Sequence, residues 1–478
     1  MKFKRYLNHP ISIYGILLLL CIAVLFQSPL IPGAAYMIQN DSSIFITIAR
    51  NILDGDILYK EIADHKGPMI FIMDAIGLLL TNGKLIGIWL LDVFSLFITS
   101  IIMYKTACLL TKELVALAVT ILSIVFIVPI IGGGNLTELW SLPYISIAFY
   151  IFIQYLTGKK EYLSYGRLFV LSFTFVIAFL FKATYVAAWC AFGLIIIIKQ
   201  IHEKKWKELG KYLMCVFGFS CLTLLPFFLY FYYHDALQDA YFWMIGYNLQ
   251  YSYEDTTISI IKRTFLIIIG VWHLPFIVIL SILLQIIRGD YKEHKYLFYG
   301  YILAIICTAY TCALGLKADH YNIIFAPLLI LPYAYLANCM KLKSFMQQFA
   351  LLLMVSGSGY LLLIKQMDNR NFNHFYFGKD ARYYKRVADI IREHTSPDDV
   401  IIGTIEAERN IYVYANRKCG NYSLSNVYYY DVDEEILNKR PKVFFTEGFF
   451  NHSKLKKYYE LVEEYGKTQI WVRKELCN

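Results

Sequence analysis

Three polar stretches carry the residues whose types and spacing could do chemistry in this chain. The first runs from Asp41-Ser-Ser-Ile-Phe to Asp64-His65-Lys66-Gly67-Pro68. The second is Gly132-Gly-Gly-Asn135-Leu-Thr137-Glu138, and the third combines Lys182 with Lys317, Asp319, His320 and Tyr321. Asp41 follows closely on the end of an apolar run, where a carboxylate can meet a lipid head group. Asp41 or Ser42 can equally cap the helix predicted over 43–53, whose Phe45, Ile48, Ala49 and Ile52 share one side before Gly55 ends it. Asp64, His65 and Lys66 place an acid, an imidazole and a cation directly before Pro68, a residue suited to opening a helix. A cation beside a helix start is a phosphate site; the same residues also make a polar interfacial turn with a snorkelling lysine. Glu138 can bind a metal or order the first stretch, or Thr137 and Glu138 simply begin the next helix. Lys182 and His320 are ionisable groups at membrane depth, which point to function as readily as to turn chemistry and a satisfied interfacial imidazole. Asp74 and Asp92 lie in apolar surroundings without an evident partner.

The rest of the chain must position these residues inside a membrane. Of its 478 residues, 58% are hydrophobic and only 17% charged, which excludes the soluble classes. Crossing roughly 30 Å of hydrocarbon takes about 17–25 apolar residues. About eleven such runs are predicted, over 11–31, 85–110, 114–131, 139–156, 168–181, 183–198, 212–232, 265–287, 296–316, 321–340 and 349–364. The first is too long for a cleaved signal and lacks a small-residue cleavage site, so a retained anchor is expected.

Cations set the expected orientation. Lys2, Lys4 and Arg5, then Lys105 and Lys112, Lys159, Lys160 and Arg167, Lys204 to Lys211, Arg288 to Lys295, and Lys341 with Lys343 mark alternate loops. Short cytoplasmic loops retain positive charge, so these loops and the N-terminus are expected inside, and the loops bearing Asp41, Glu138 and His320 outside with the C-terminal tail. The net charge of +9 is then topological and implies no nucleic-acid partner.

The transmembrane part is expected over 1–365, with the external loop 32–84, and a small external α/β domain over 366–478. In that tail 379–393 and 454–465 read as helices, and 399–404, 441–446 and 469–473 as strands. Alternating helix and strand predicts a layered domain that covers the membrane site or holds an acceptor. No glycine-rich phosphate loop is present there. Most of the ten cysteines lie in or beside apolar runs without ligand spacing and read as small hydrophobes. Cys419 and Cys477 are the one pair placed for an external disulfide, with nothing fixing their separation.

Several ordered segments resemble the integral membrane glycosyltransferases of the GT-C class, close to the protein mannosyltransferase and aminoarabinose transferase group of family 39. They are Asp41-Ser-Ser-Ile-Phe-Ile-Thr-Ile-Ala-Arg-Asn-Ile-Leu-Asp-Gly, Tyr59-Lys-Glu-Ile-Ala-Asp-His-Lys-Gly-Pro68, Gly133-Gly-Asn-Leu-Thr-Glu-Leu-Trp140 with Leu142-Pro143, Phe242-Trp243 with Tyr247-Asn248, and His320-Tyr321-Asn322 leading to Pro327. The resemblance implies inverting transfer of a sugar from a polyprenyl-phosphate donor to an acceptor glycan, lipid or protein, at the outer face of a plasma or inner membrane. It makes Asp41 the catalytic carboxylate and Lys66, His65, Lys182, His320 and Tyr321 candidates for the donor phosphate. Glu138, Asp64 and Asn135 would support the site, and a divalent metal shared by Asp41 and Glu138 is a further candidate. Relatives often carry an acid directly after the catalytic aspartate, where this chain has Ser42.

Two other classes share some of these features. A transporter or flippase of lipid-linked saccharides would call for inverted halves and mid-membrane ionisable groups, whereas no internal repeat is visible. A polymerase of oligosaccharide units would call for arginine-rich external loops, which are missing.

Overall fold

The computed structural model describes residues 10–34, 36–253, 257–270, 274–314, 318–372, 381–404, 407–425, 430–448 and 454–476. The N-terminal cations, Lys317 and Cys477 lie outside the described residues, so the Cys419–Cys477 pairing does too. Among the described residues seven helices are long and apolar enough to cross a bilayer: Ile86–Cys108, Thr137–Leu156, Ala183–His202, Trp206–Tyr233, Lys295–Cys312, Asp319–Cys339 and Phe345–Ile364. Each matches a predicted run. Three further runs form the shorter apolar helices Pro10–Leu25, Glu113–Val125 and Tyr165–Phe181. The run over 265–287 falls on the helices Thr257–Gly270 and Leu274–Arg288, with residues 271–273 outside the described residues. Trp206–Tyr233 exposes Met214, Phe217, Leu222 and Phe228, a surface suited to lipid rather than water as solvent. The protein is thus a polytopic α-helical membrane protein with a C-terminal sheet domain.

Two compact units emerge from the packing: 1–27 with 90–230 and 248–369, and 28–89 with 231–247 and 370–478. The second therefore unites the Asp41 loop with the tail.

In the second unit the tail forms a five-stranded sheet, ordered β2-β1-β3-β5-β4. The strands are β1 (Val400–Gly403), β2 (Lys418–Cys419), β3 (Val443–Glu447), β4 (Tyr459–Tyr465) and β5 (Thr468–Arg473). β1 runs parallel to β2 and β3, whereas β5 pairs antiparallel with both β3 and β4. Ile402, Val432, Ile436, Phe444, Leu455, Tyr459 and Trp471 make its apolar core. The helix predicted over 454–465 is corrected, because β4 occupies most of it after a short turn at Leu455–Lys457. Leu455, Tyr459 and Val462 satisfy helical spacing, but Gly466, at φ +59°, lets the chain reverse into β5. The exposed glutamates of β4 then serve as a charged sheet edge.

Buried amides tie the loop to this sheet domain. The loop helix Asn40–Leu53 carries Asn51, whose Nδ2 donates to the Cys419 carbonyl (2.7 Å) and whose Oδ1 accepts from the Cys419 N–H (3.1 Å). Asn410 brackets Ile38 in the same way, at 3.1 and 2.9 Å. Arg50 donates to the Val413 carbonyl at 2.8 Å, Lys418 pairs with Asp56, and the Ala63 N–H donates to the Tyr422 carbonyl at 2.7 Å. Backbone polar groups need partners when buried, and here side-chain amides from distant segments supply them.

In the first unit the Gly132–Asn135 turn runs through left-handed backbone. Its four residues all have positive φ, at 61°, 99°, 94° and 50°. Asp92, within the Ile86–Cys108 helix, accepts from the Asn135 N–H at 2.7 Å. A Cβ at Gly134 would sit 2.7 Å from the Asp92 carboxylate, so glycine is required by both backbone and space.

Candidate functional site

The polar residues gather into two clusters, one in each unit. In the second unit, Asp41 lies in the first turn of Asn40–Leu53, with Gln39 at the N-cap position and no side-chain cap bond. The capping role expected of Asp41 or Ser42 is corrected: the helix starts at Asn40, two residues too early for Asp41 to cap it and three for Ser42. Asp41 is half-buried, and an acid in a first helical turn is favoured by the helix dipole.

Asp64, His65 and Lys66 precede the helix Pro68–Leu80, where Pro68 takes the first position after Gly67 at the N-cap. The turn is buried, with Asp64 2% and Lys66 6% exposed, so a surface turn with a snorkelling lysine is corrected. Asp64 accepts from the Lys66 N–H at 3.0 Å, and its other oxygen lies 3.5 Å from His65 Nδ1. Lys66 Nζ is 2.7 Å from His65 Nε2. His65 Nδ1, on the other side of the ring, faces Asp64 and Ser425, whose Oγ is 3.4 Å away. Burial alone would raise the Asp64 carboxyl, but His65, the Lys66 ammonium and the Lys66 amide outweigh it and hold the group at about 2.

The Asp64 carboxyl is thereby lowered from an ordinary 3.8 to about 2 in the folded protein. Its stabilisation is complete above the unfolded value and is lost as pH falls through the folded one, on the order of 2 kcal/mol in all. Acid titration of the purified protein followed by tryptophan fluorescence should show a loss of stability between about pH 4 and 2. In Asp64→Asn that step should disappear.

Tyr59 was not visible as a site residue in the sequence. Its φ of +69° is rare for a bulky side chain. The residue is fully buried, and its hydroxyl donates to the Lys66 carbonyl at 2.7 Å. Burial, then the Asp64 charge, push that hydroxyl well above its ordinary range and keep it a donor. The Phe242-Trp243 motif forms a π-helical turn, and Trp243 Nε1 donates to the Tyr422 hydroxyl at 3.0 Å. Tyr422 and Ser425, from the tail, were likewise missed, since no local pattern marks them.

The first unit gathers Glu138, Lys182, His320 and Tyr321. Glu138 does begin a helix, Thr137–Leu156, yet it is buried and accepts from the Tyr185 hydroxyl and from Thr137 Oγ1 at 3.1 Å. Lys182, in extended backbone after Tyr165–Phe181, places its ammonium 3.9 Å from Glu138 and 3.7 Å from the centre of the Tyr321 ring. Such a cation over an aromatic face is attracted by the ring quadrupole. His320 packs edge-on against Tyr321 at 4.9 Å. Tyr185, the closest partner of Glu138, lies 47 residues away and gave no sequence signal. Asn135 is engaged structurally, its amide on Asp92 and its Oδ1 accepting from Trp140 Nε1 at 3.1 Å.

Both Glu138 oxygens already have protein partners, and among the described residues no group of three or more His, Cys, Asp or Glu side chains is placed to hold a metal.

No family model matches the sequence. No curated protein matches it either. Solved structures do match in fold. ArnT from Cupriavidus metallidurans bound to undecaprenyl phosphate aligns over 98% of this chain and 98% of its own, with a TM-score of 0.66 and 11% identity. The archaeal oligosaccharyltransferase AglB from Archaeoglobus fulgidus, in complex with an inhibitory peptide and a dolichol-phosphate, aligns over 93% of this chain and 70% of its own, with a TM-score of 0.60 and 12% identity. With these neighbours, the membrane helices and the terminal sheet domain give this chain the GT-C fold.

Proposed function

We propose that the protein is a membrane glycosyltransferase that moves a sugar from a polyprenyl-phosphate donor to an acceptor glycan, lipid or protein, with inversion at the anomeric carbon. The observation that carries this reading is the buried Asp64-His65-Lys66 cluster at the start of Pro68–Leu80, in the same compact unit as Asp41. The fold neighbours bound to undecaprenyl phosphate and dolichol-phosphate support a lipid-phosphate ligand. The cation pattern supports an outer-face reaction, a cytoplasmic N-terminus and an extracytoplasmic tail.

In this reaction the acceptor hydroxyl oxygen attacks C1 of the sugar from the face opposite the phosphate. The C1–O bond to the carrier breaks with its electron pair going to the phosphate, and the hydroxyl proton passes to the Asp41 carboxylate. Lys66 and the first amides of Pro68–Leu80 meet the charge that develops on the departing phosphate. Phosphate leaves without protonation, so one carboxylate suffices where glycoside hydrolysis takes two. Asp64 and His65 hold Lys66 in place. Lys182 supplies positive charge in the first unit, with Tyr321 beneath the ammonium, Glu138 orienting it and His320 packed against Tyr321.

The test is sugar transfer by the purified protein in lipid, over a panel of polyprenyl-phosphate sugars, with released carrier phosphate detected by mass. Release dependent on acceptor establishes the reaction and its donor. Movement of intact lipid-linked sugar across the bilayer, without release, would overturn it in favour of a transporter. Lys66→Ala should raise KM for the donor roughly 10-fold or more, the worth of a charge-assisted contact, while changing kcat less; an unchanged KM would remove Lys66 from the phosphate site.

A further inference from the structure

A cavity of about 360 Å³ lies within the first unit at the far end of the helix that bears Glu138. Thr157, in its wall, directly follows Leu156, the last residue of Thr137–Leu156. At a rise of 1.5 Å per residue the cavity is roughly 28 Å from Glu138, about one hydrocarbon thickness away. It therefore opens at the opposite membrane boundary, where the chain carries Lys159, Lys160, Arg288, Lys292 and Lys295.

Its wall is amphipathic. Leu109 and Leu110, in the turn after Ile86–Cys108, line it with Leu297 and Leu331 from two further helices. Lys159, His294, Asp290 and Glu293 line it as well. Asp290 accepts from the Tyr335 hydroxyl at 2.7 Å, and Glu293 lies 3.7 Å from His294. Tyr301 also lines the cavity, is 3% exposed, and its hydroxyl has no hydrogen-bond partner among the described residues. A buried phenol left unbonded is unfavourable, and a ligand oxygen would relieve it.

We propose that this cavity binds the head of a membrane phospholipid that carries both a phosphate and a primary ammonium. An anion alone would face Asp290 and Glu293, and a cation alone would face Lys159. A phosphodiester beside Lys159 and the His294 ring, with an ammonium beside the two carboxylates, uses all four. The ammonium's three N–H donors match carboxylate and phenol acceptors in a way a quaternary amine cannot. Tyr301 donates to a phosphate or ester oxygen, and the leucines receive the glycerol end of the acyl chains. This site is independent of the transfer reaction.

The experiment uses the delipidated full-length protein in detergent, with binding read by native mass spectrometry. Dioctanoyl phosphatidylethanolamine should bind at least about 10-fold more tightly than the choline or glycerol lipids, as expected for a hydrogen-bonded charge. Tyr301→Phe and Asp290→Asn should each weaken it about 10-fold. The first keeps the ring and the second is exposed, so both proteins should remain folded, with a melting temperature as control. Equal affinity for the three lipids, or none lost in either folded variant, would overturn the proposal. Free phosphoethanolamine binding as tightly as the lipid would overturn the lipid as occupant in favour of a soluble one.

Discussion

Asp41→Asn should lower sugar transfer by about 10²–10⁴-fold, the range that a positioned base supplies. The substitution keeps side-chain volume and the helix Asn40–Leu53 but removes both the negative charge and the proton acceptor. Asp41 makes no cap contact whose loss would confound the result, so melting temperature and expression should stay close to wild type. Donor binding, read separately as retention of the polyprenyl-phosphate sugar, should persist because Lys66 is untouched. The measurement is single-turnover release of carrier phosphate at saturating donor. A variant turning over at the wild-type rate would remove Asp41 from the chemistry, whatever the donor proved to be.

Asn51→Ala should have the largest effect on stability. Its amide satisfies both backbone groups of Cys419, the carbonyl at 2.7 Å and the N–H at 3.1 Å, and also donates to Asp56 at 2.8 Å. Truncation leaves a buried donor and acceptor unpaired, at about 1–3 kcal/mol each. A loss of about 3–5 kcal/mol is expected, read by denaturant unfolding in detergent. Because Asn51 sits on the helix that carries Asp41, transfer should fall as well. Activity retained in a strongly destabilised variant would mean that the loop holds its geometry without the tail. Asn51→Asp is the informative companion: it keeps the acceptor for the Cys419 N–H but turns the donor that faced the carbonyl into a repelling charge.

These expectations divide along what a sequence can and cannot carry. The helix opened by Pro68 and the helix near Asp41 were legible because their signals are local: a proline before an apolar run, and apolar residues at helical spacing. Most spans were legible because lipid imposes a single length and composition. Tyr59 was not, since its left-handed backbone is imposed by its surroundings and not by its type. Asn51 and Asn410 looked like ordinary polar residues, because their partners lie 368 and 372 positions away. Tyr185 was hidden within an apolar run. The segment over 454–465 misled because three apolar residues at helical spacing also suit a strand, and only pairing with β5 decides between them.

The amide clasps have a temporal side. The loop leaves the ribosome early, whereas Cys419 follows Asn51 by 368 residues. At about 5–20 residues per second of synthesis, the loop waits roughly 20–70 s for the strand that satisfies its amides. During that interval Asn51, Arg50 and the Ala63 N–H are exposed without their final partners. The Asp41 helix therefore cannot acquire its finished surroundings until nearly the whole chain has been made and inserted, so a nascent chain truncated before residue 418 should be inert even with every transmembrane span in place.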